Sequence, residues 1–161
     1  SRAGQNTNTL AHTMSSSRIA RMTLNGLDMS EFYLHGLAAS YYGVPSIFVS
    51  GDAGLCQEVA EHNSIIQTVA TIRGEGSSVI SQHPAQSLKM IQAGVAKAIR
   101  GDFSKGLLPI PKKLEFSIEF KKHQEAYRAS FYPGASLINP VTVGFKSEDY
   151  FELMRFNLFA Y

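Results

Sequence analysis

An acidic side chain and an imidazole side chain are four residues apart in the segment DMSEFYLHG, residues 28–36. If this segment is helical, Glu31 and His35 lie one turn apart on the same face. A carboxylate and an imidazole in this arrangement can form an acid–base pair or bind a metal ion. They can equally belong to a solvated helix face, so the spacing alone leaves both interpretations open.

A second candidate for chemistry is His12, in the segment LAHTMSSS. Its neighbours are small hydroxyl residues, and it precedes the first predicted strand, so we expect it on a loop. A histidine on a loop among small residues can reach a substrate, and imidazole transfers protons near neutral pH. His12 is therefore a candidate general base, with a surface or core role as the alternative.

The other three histidines give weaker signals. His62 is at the end of a predicted helix, where an imidazolium interacts favourably with the last carbonyl groups. His83 precedes a proline on a predicted loop, and His123 lies beside two lysines. We interpret His62 as a helix cap, His123 as a surface residue and His83 as a minor functional candidate.

The sequence contains no complete metal motif. Catalytic zinc is bound by at least three protein side chains, whereas the chain has no HExxH pattern, no cysteine cluster and no paired histidines. The stretch RGEGSS also lacks the GKS or GKT ending and the GxGxxG spacing of phosphate-binding loops. We expect the whole Gly/Ser-rich segment 73–83 to be a loop that could lie over a site.

Composition narrows the class of protein. A chain of 161 residues with 44% hydrophobic residues can bury a real core. The net charge is only +2 and the basic residues are scattered, which argues against nucleic-acid binding. The single Cys56 fits a reducing compartment, and no apolar run approaches the roughly 20 residues of a membrane span. We expect a cytoplasmic protein that binds neither nucleic acid nor membrane.

The hydrophobic pattern of the first two thirds predicts an α/β fold. Strands alternate with helices along the chain, which indicates βαβ units in a mostly parallel sheet with helices on both faces. Asp28 is expected to cap the first helix and Gly43 to end it. Strands are predicted over 18–26, 44–52 and 64–72, and helices over 29–42 and 53–62.

The pattern changes after a proline-containing linker, GDFSKGLLPIPKK, over residues 101–113. The segment LEFSIEF alternates strictly between apolar and polar residues, which predicts a strand with one buried face. A short helix, the strand VTVGF and a helix capped by Ser147 follow, forming a smaller α+β unit. The last helix is apolar nearly all round, so it is either buried or packs one half on a partner. Before the linker, Pro84 opens a helix with one apolar face formed by Leu88, Ile91, Val95 and Ile99.

The segments SRAG, AHTMSSS and LNGLDMSEFYLHGLAASYYGVPSIFVSGD, with the tail elements LEFSIEF, YPG and VTVGF, resemble the zinc-dependent D-aminopeptidase family of the dipeptide-transport-operon type. The resemblance covers nearly the whole chain. It implies a Rossmann-like α/β domain with a smaller α+β unit, a dinuclear zinc site and ring-shaped homo-decamers. It also implies a metallo-aminopeptidase that releases N-terminal amino acids, of D configuration, from short peptides or amino-acid amides.

The resemblance assigns roles to two residues. Glu31 corresponds to a glutamate that ligates one zinc ion. His12 corresponds to the catalytic histidine, which acts as base or nucleophile. His35 stands where family members can carry asparagine, so it is interpreted as lining the cleft or lying behind the ligands. The family's other metal ligands, an aspartate, a glutamate and two histidines, have no counterpart in this chain. We therefore expect an upstream segment of the same protein to complete the site.

The resemblance also divides the chain by role. Residues 1–17 are predicted to form the active-site loop region, 18–104 the later part of the α/β domain, and 105–161 an α+β unit used in assembly. The alternative to an enzyme is a non-catalytic subunit or assembly module that keeps the family fold without activity.

Overall fold

The computed structural model describes all residues, Ser1–Tyr161, and contains five α-helices and eight strands in two sheets. The strands are β1 (Ile19–Leu24), β2 (Leu27–Asp28), β3 (Phe48–Asp52), β4 (Gln67–Glu75), β5 (Ser78–Ser81), β6 (Leu114–Phe120), β7 (Ala135–Asn139) and β8 (Thr142–Ser147). The helices are α1 (Glu31–Tyr41), α2 (Ala53–His62), α3 (Pro84–Ala98), α4 (His123–Ala129) and α5 (Tyr150–Ala160), with a 3-10 turn over Phe103–Gly106.

The larger sheet has the strand order β2-β1-β6-β8-β7, and every pairing in it is antiparallel. Strand β6 confirms the predicted alternation, because its four apolar side chains are almost fully buried. On this buried side the ring of Phe156 from α5 stacks on Phe145 at 4.8 Å and meets Phe116 edge-on at 6.1 Å. The buried side chains of β6 are Leu114, Phe116, Ile118 and Phe120.

The smaller sheet has the order β3-β4-β5, with α2 and α3 packed against it. Gly94 lets α3 approach this sheet closely, because a Cβ atom there would lie 2.7 Å from the ring of Phe48 and 3.0 Å from Val69. The predicted apolar face of α3 is not covered by the rest of the chain. Three of its side chains stay exposed: Leu88, Val95 and Ile99.

The mixed α/β class is confirmed, but the prediction of a mostly parallel sheet is not. Only β3 and β4 pair in parallel, while β1 joins the antiparallel sheet next to β6. The strand–helix–strand order of the sequence does not determine which strands become neighbours. Strand β1 pairs with β6, whose residues are more than 90 positions later in the chain. Segment 73–83 is also not a loop, because β4 continues into it and turns at Gly76, with φ of 58°, into β5.

The chain divides into two compact units. The mixed-sheet unit contains the three-stranded sheet, and the antiparallel unit contains the five-stranded sheet. The pairing of β1 with β6 explains why the units do not follow chain order. The mixed-sheet unit comprises Ser1, 5–11 and 35–109, and the antiparallel unit comprises 2–4, 12–34 and 110–161.

The first helix begins later than predicted. Helix α1 starts at Glu31, and the hydroxyl of Ser30 accepts the N–H of Tyr33 at 3.1 Å, which is the contact of an N-cap. The prediction that Asp28 caps this helix was wrong. Asp28 lies in β2, where its carboxylate pairs with Arg2 at 2.6 Å and with Arg21. Both Asp28 and Ser30 are residue types that cap helices, so the sequence alone does not distinguish them. In the structure Asp28 is part of a strand, and Ser30 precedes the helix.

The last helix is capped by Asp149, which accepts the N–H of Phe151 at 2.8 Å, rather than by the predicted Ser147. One face of α5 is buried, whereas Leu158 and Phe159 on the other face are exposed. None of the five helices combines the length and the apolar content needed to cross a membrane.

We predict that Ile118→Ala lowers the free energy of unfolding by about 2–5 kcal/mol, because it leaves a cavity in the core of the antiparallel unit. Ile118 is 0% exposed. The matched control is Ile138→Ala on β7, where the side chain is 62% exposed and the change should stay within about 0.5 kcal/mol. Urea unfolding of both variants measures the difference, and equal losses would contradict this assignment of the core.

Candidate active site

The fold brings His12 and Glu31 together. The His12 Nε2 atom lies 3.7 Å from the Glu31 Oε1 atom, and each side chain is a little under half exposed. Both residues belong to the antiparallel unit. Because 3.7 Å exceeds hydrogen-bond length, the two groups interact as charges and dipoles rather than through a shared proton. The structure thus places the two residues singled out by resemblance at one accessible position.

The buried hydroxyl of Thr13 fixes the loop that carries His12. Thr13 is fully buried. Its Oγ1 atom donates a hydrogen bond to the carbonyl of Met29 at 2.9 Å and accepts one from the N–H of Ala3 at 3.0 Å. These two hydrogen bonds join the chain's first residues, the His12 loop and the entrance to α1. The position of His12 is therefore set by its immediate neighbour.

Met14 connects the same loop to Glu31. Its backbone adopts a left-handed conformation with φ of 61°, and its N–H donates to Glu31 Oε1 at 2.8 Å. A non-glycine residue costs about 1 kcal/mol or more in this conformation, so surrounding contacts must hold it there. Glu31 also occupies the first turn of α1, where the helix N-terminus favours negative charge. The Glu31 carboxylate is therefore oriented by the N–H of Met14 and by the first turn of α1.

Tyr161 lies close enough to Glu31 to respond to its charge. Burial of the phenol, and then the negative charge of Glu31, raise the pKa of Tyr161 above its ordinary value. The group is therefore a neutral hydroxyl at physiological pH. Sequence reasoning missed Thr13, Met14 and Tyr161 as parts of this region, and the only signal was the run of small hydroxyl residues around His12.

The other four histidines lie on helices or directly before one. His83 caps α3, where its Nδ1 accepts the N–H of Ala85 at 3.2 Å. A functional role of this residue stays a prediction. His62 ends α2 as predicted, but burial lowers its pKa despite two nearby glutamates, which disfavours the expected imidazolium. His123 is exposed at the start of α4, and His35 is exposed on α1.

The residues of this chain do not complete a metal site. Carboxylate and imidazole are donors that zinc accepts, but protein zinc sites use at least three side chains. Among the 161 residues, no group of three or more His, Cys, Asp or Glu side chains is arranged to hold a metal ion. Glu31 and His12 have side chains of the types that bind zinc, but two side chains are fewer than the three that a zinc site requires.

The sequence profile of the D-aminopeptidase family, peptidase family M55, matches residues 1–159. The chain belongs to the D-aminopeptidase family. A D-aminopeptidase of Bacillus subtilis (strain 168) is 29% identical over 132 residues, which is 80% of this chain and 48% of the relative. This D-aminopeptidase-family chain therefore spans about half the length of that curated relative.

The fold of this family member is also that of a solved relative. The structure described as "Zn-dependent D-aminopeptidase DppA from Bacillus subtilis, a self-compartmentalizing protease" superposes with a TM-score of 0.85 at 26% identity. The similarity covers 99% of this chain and 60% of the DppA chain. The resemblance inferred from the sequence is thus confirmed at the level of family and fold.

We predict that Thr13→Val destabilises the protein by about 1–3 kcal/mol, because it leaves a buried N–H and a buried carbonyl without their shared partner. The same substitution at exposed Thr9 is the control and should change the unfolding free energy by less than about 0.5 kcal/mol. Urea unfolding provides the measurement. Equal stability of the two variants would show that Thr13 does not hold the His12 loop.

Proposed function

We propose that the protein containing this chain is a zinc-dependent D-aminopeptidase. It hydrolyses the amide bond that follows the free N-terminal residue, of D configuration, in short peptides or amino-acid amides. Family membership over residues 1–159 supports the reaction class. The proposal depends on one observation: His12, on the loop held by Thr13, lies 3.7 Å from Glu31 in the first turn of α1.

His12 is proposed as the general base. Its imidazole takes a proton from the water that attacks the scissile carbonyl carbon, so a C–O bond forms as the proton leaves. The imidazolium then gives this proton to the leaving amine as the C–N bond breaks.

Glu31 is proposed as a ligand to one of two zinc ions. Support comes from its donor chemistry, its partial exposure and the description of the DppA neighbour as Zn-dependent. Because this chain supplies too few donors, we assign the remaining ligands to residues of the same protein outside 1–161. His35 is assigned to the lining of the cleft.

Self-assembly is part of the proposal. The DppA neighbour is described as self-compartmentalizing, which supports a homo-oligomer, and a decamer is the form we propose. Residues 105–161 are proposed as the unit used for assembly, and residues 1–17 as the active-site loop region. A cytoplasmic location is proposed as well, supported by the free and buried thiol of Cys56.

We predict that His12→Ala in the whole protein lowers turnover of a D-aminoacyl amide by about 100-fold or more, because a general base is removed. Zinc per chain should stay unchanged, since His12 is not assigned as a ligand. The matched control is His123→Ala, an exposed histidine on α4, which should keep wild-type turnover. Near-normal turnover of the His12 variant would contradict the assignment of a general base and indicate that His12 is a surface residue.

We predict that Glu31→Gln lowers zinc per chain in the whole protein, because a neutral amide is a poorer ligand than a carboxylate. The amide oxygen of glutamine can still accept the Met14 N–H, so the variant removes charge while the loop contact persists. The control is Glu148→Gln, at an exposed glutamate, which should leave the metal content unchanged.

Zinc content by mass spectrometry of the purified proteins distinguishes the possibilities. Equal and nearly complete occupancy in wild type and Glu31→Gln would contradict the ligand assignment. A whole protein that binds no zinc and hydrolyses no amide would favour the alternative function, a non-catalytic assembly module with the family fold.

A further inference from the structure

Two glycines of the mixed-sheet unit lie in regular elements, where glycine is unfavourable. Gly54 is in the first turn of helix α2, and Gly74 is in strand β4. Glycine weakens helices and strands because it loses more conformational freedom on folding than other residues do. A glycine inside a strand often marks a place where another segment of backbone comes very close.

Both glycines lie against Thr7, in the segment 5–11 of the same unit. A Cβ atom at Gly54 would lie 2.5 Å from the Cβ atom of Thr7. A Cβ atom at Gly74 would lie 2.6 Å from the carbonyl carbon of Thr7. Atoms at these distances overlap, so a larger residue at either position would displace the segment. We call Gly54 and Gly74 the Thr7 cradle.

The two glycines contact different parts of the segment. The atoms nearest to an added Cβ at Gly54 are all in the Thr7 side chain, whereas those at Gly74 are all in the backbone of residues 6–8. The Gly74 N–H also donates a hydrogen bond to the Thr7 carbonyl at 2.7 Å. The Thr7 hydroxyl is buried and makes no hydrogen bond with another group of the chain. Thr7 is therefore held by its shape and its carbonyl.

The contacts continue along the chain from Thr7 to His12. The next residue, Asn8, closes a turn, because its carbonyl accepts the N–H of Ala11 at 3.1 Å. The Asn8 side chain accepts a second N–H of this turn at 3.0 Å. Ala11 directly precedes His12, and Thr13, which follows it, is held by its own hydrogen bonds. His12 thus has an anchored neighbour on each side.

We propose that Gly54 and Gly74 are positioning residues for His12. They hold Thr7, and the turn that follows Thr7 leads directly to the main chain of His12. The inference rests on the proposed function, in which His12 is the general base. A displacement of about 1 Å at a catalytic group can slow a reaction about 100-fold. Loss of the Thr7 cradle is therefore expected to lower kcat while KM changes little.

The test is the turnover of a D-aminoacyl amide by the whole zinc-loaded protein with Gly54→Ala or Gly74→Ala. We expect kcat to fall roughly tenfold or more in both variants. Zinc per chain should not change, because no assigned ligand lies in residues 5–11. The control is Gly101→Ala in the same unit, where the nearest atom to an added Cβ is 3.3 Å away. This control should keep the wild-type kcat.

A second substitution separates positioning from general destabilisation. Thr7→Gly removes the side chain that the methyl group added in Gly54→Ala would overlap, so we expect it to restore most of the lost turnover. It cannot restore Gly74→Ala, where the added methyl group overlaps backbone atoms. Restoration of both double variants, or of neither, would contradict this geometry. Circular dichroism checks each fold, and Asn8→Gly, which loosens the turn without a clash, replaces a glycine variant that does not fold and should also lower kcat.

Hydrogen exchange of residues 5–11 is measured in the same samples, because it does not depend on the reaction. Faster exchange with unchanged kcat overturns the positioning of His12, and unchanged exchange with unchanged kcat overturns the Thr7 cradle as well. Loss of zinc together with kcat also contradicts the positioning of the base. A wild-type protein that hydrolyses no D-aminoacyl amide overturns the proposed function and the catalytic role of the cradle, whereas exchange then still decides whether the two glycines hold the segment.

Discussion

The hydrogen bonds of the buried Thr13 hydroxyl are the contacts on which the candidate site depends. They connect Ala3, before the His12 loop, with Met29, at the entrance to α1. His12 precedes Thr13 and Met14 follows it, so the imidazole and the N–H that binds Glu31 are positioned by the same residue. Removal of this hydroxyl is therefore expected to shift both His12, the proposed base, and Glu31, the proposed metal ligand.

The antiparallel sheet provides the rigid support beneath this loop. The chain runs from Thr13 into β1, which pairs along its length with β6, and the buried face of β6 holds that pair in the core. After the short strand β2 the chain enters α1 at Glu31. The two candidate residues thus lie at the two ends of one β-hairpin, and this hairpin is anchored by strands from the last third of the sequence.

The sequence predicted features that have a strong local pattern, although both predicted helix caps, Asp28 and Ser147, were wrong. The alternation of LEFSIEF identified β6 and its buried face. The predicted strand 18–26 became β1 and ended earlier, because Asn25 and Gly26 adopt positive φ and form the turn into β2. Features that depend on distant contacts were not predictable. Neither the pairing of β1 with β6 nor the burial of Thr13 leaves a periodic signal, because each arises from residues far apart along the chain. His12 and Glu31 were identifiable by type and resemblance, whereas their distance required the fold.

The central claim is that His12 and Glu31 have different roles at one metal-dependent site. Anomalous diffraction at the zinc absorption edge, from crystals of the whole protein loaded with zinc, tests it most directly. We predict an anomalous peak within about 2.2 Å of a Glu31 carboxylate oxygen, with His12 Nε2 outside the coordination shell and facing the cleft. A zinc ion bound by His12, or zinc bound only at positions remote from Glu31, would contradict the account.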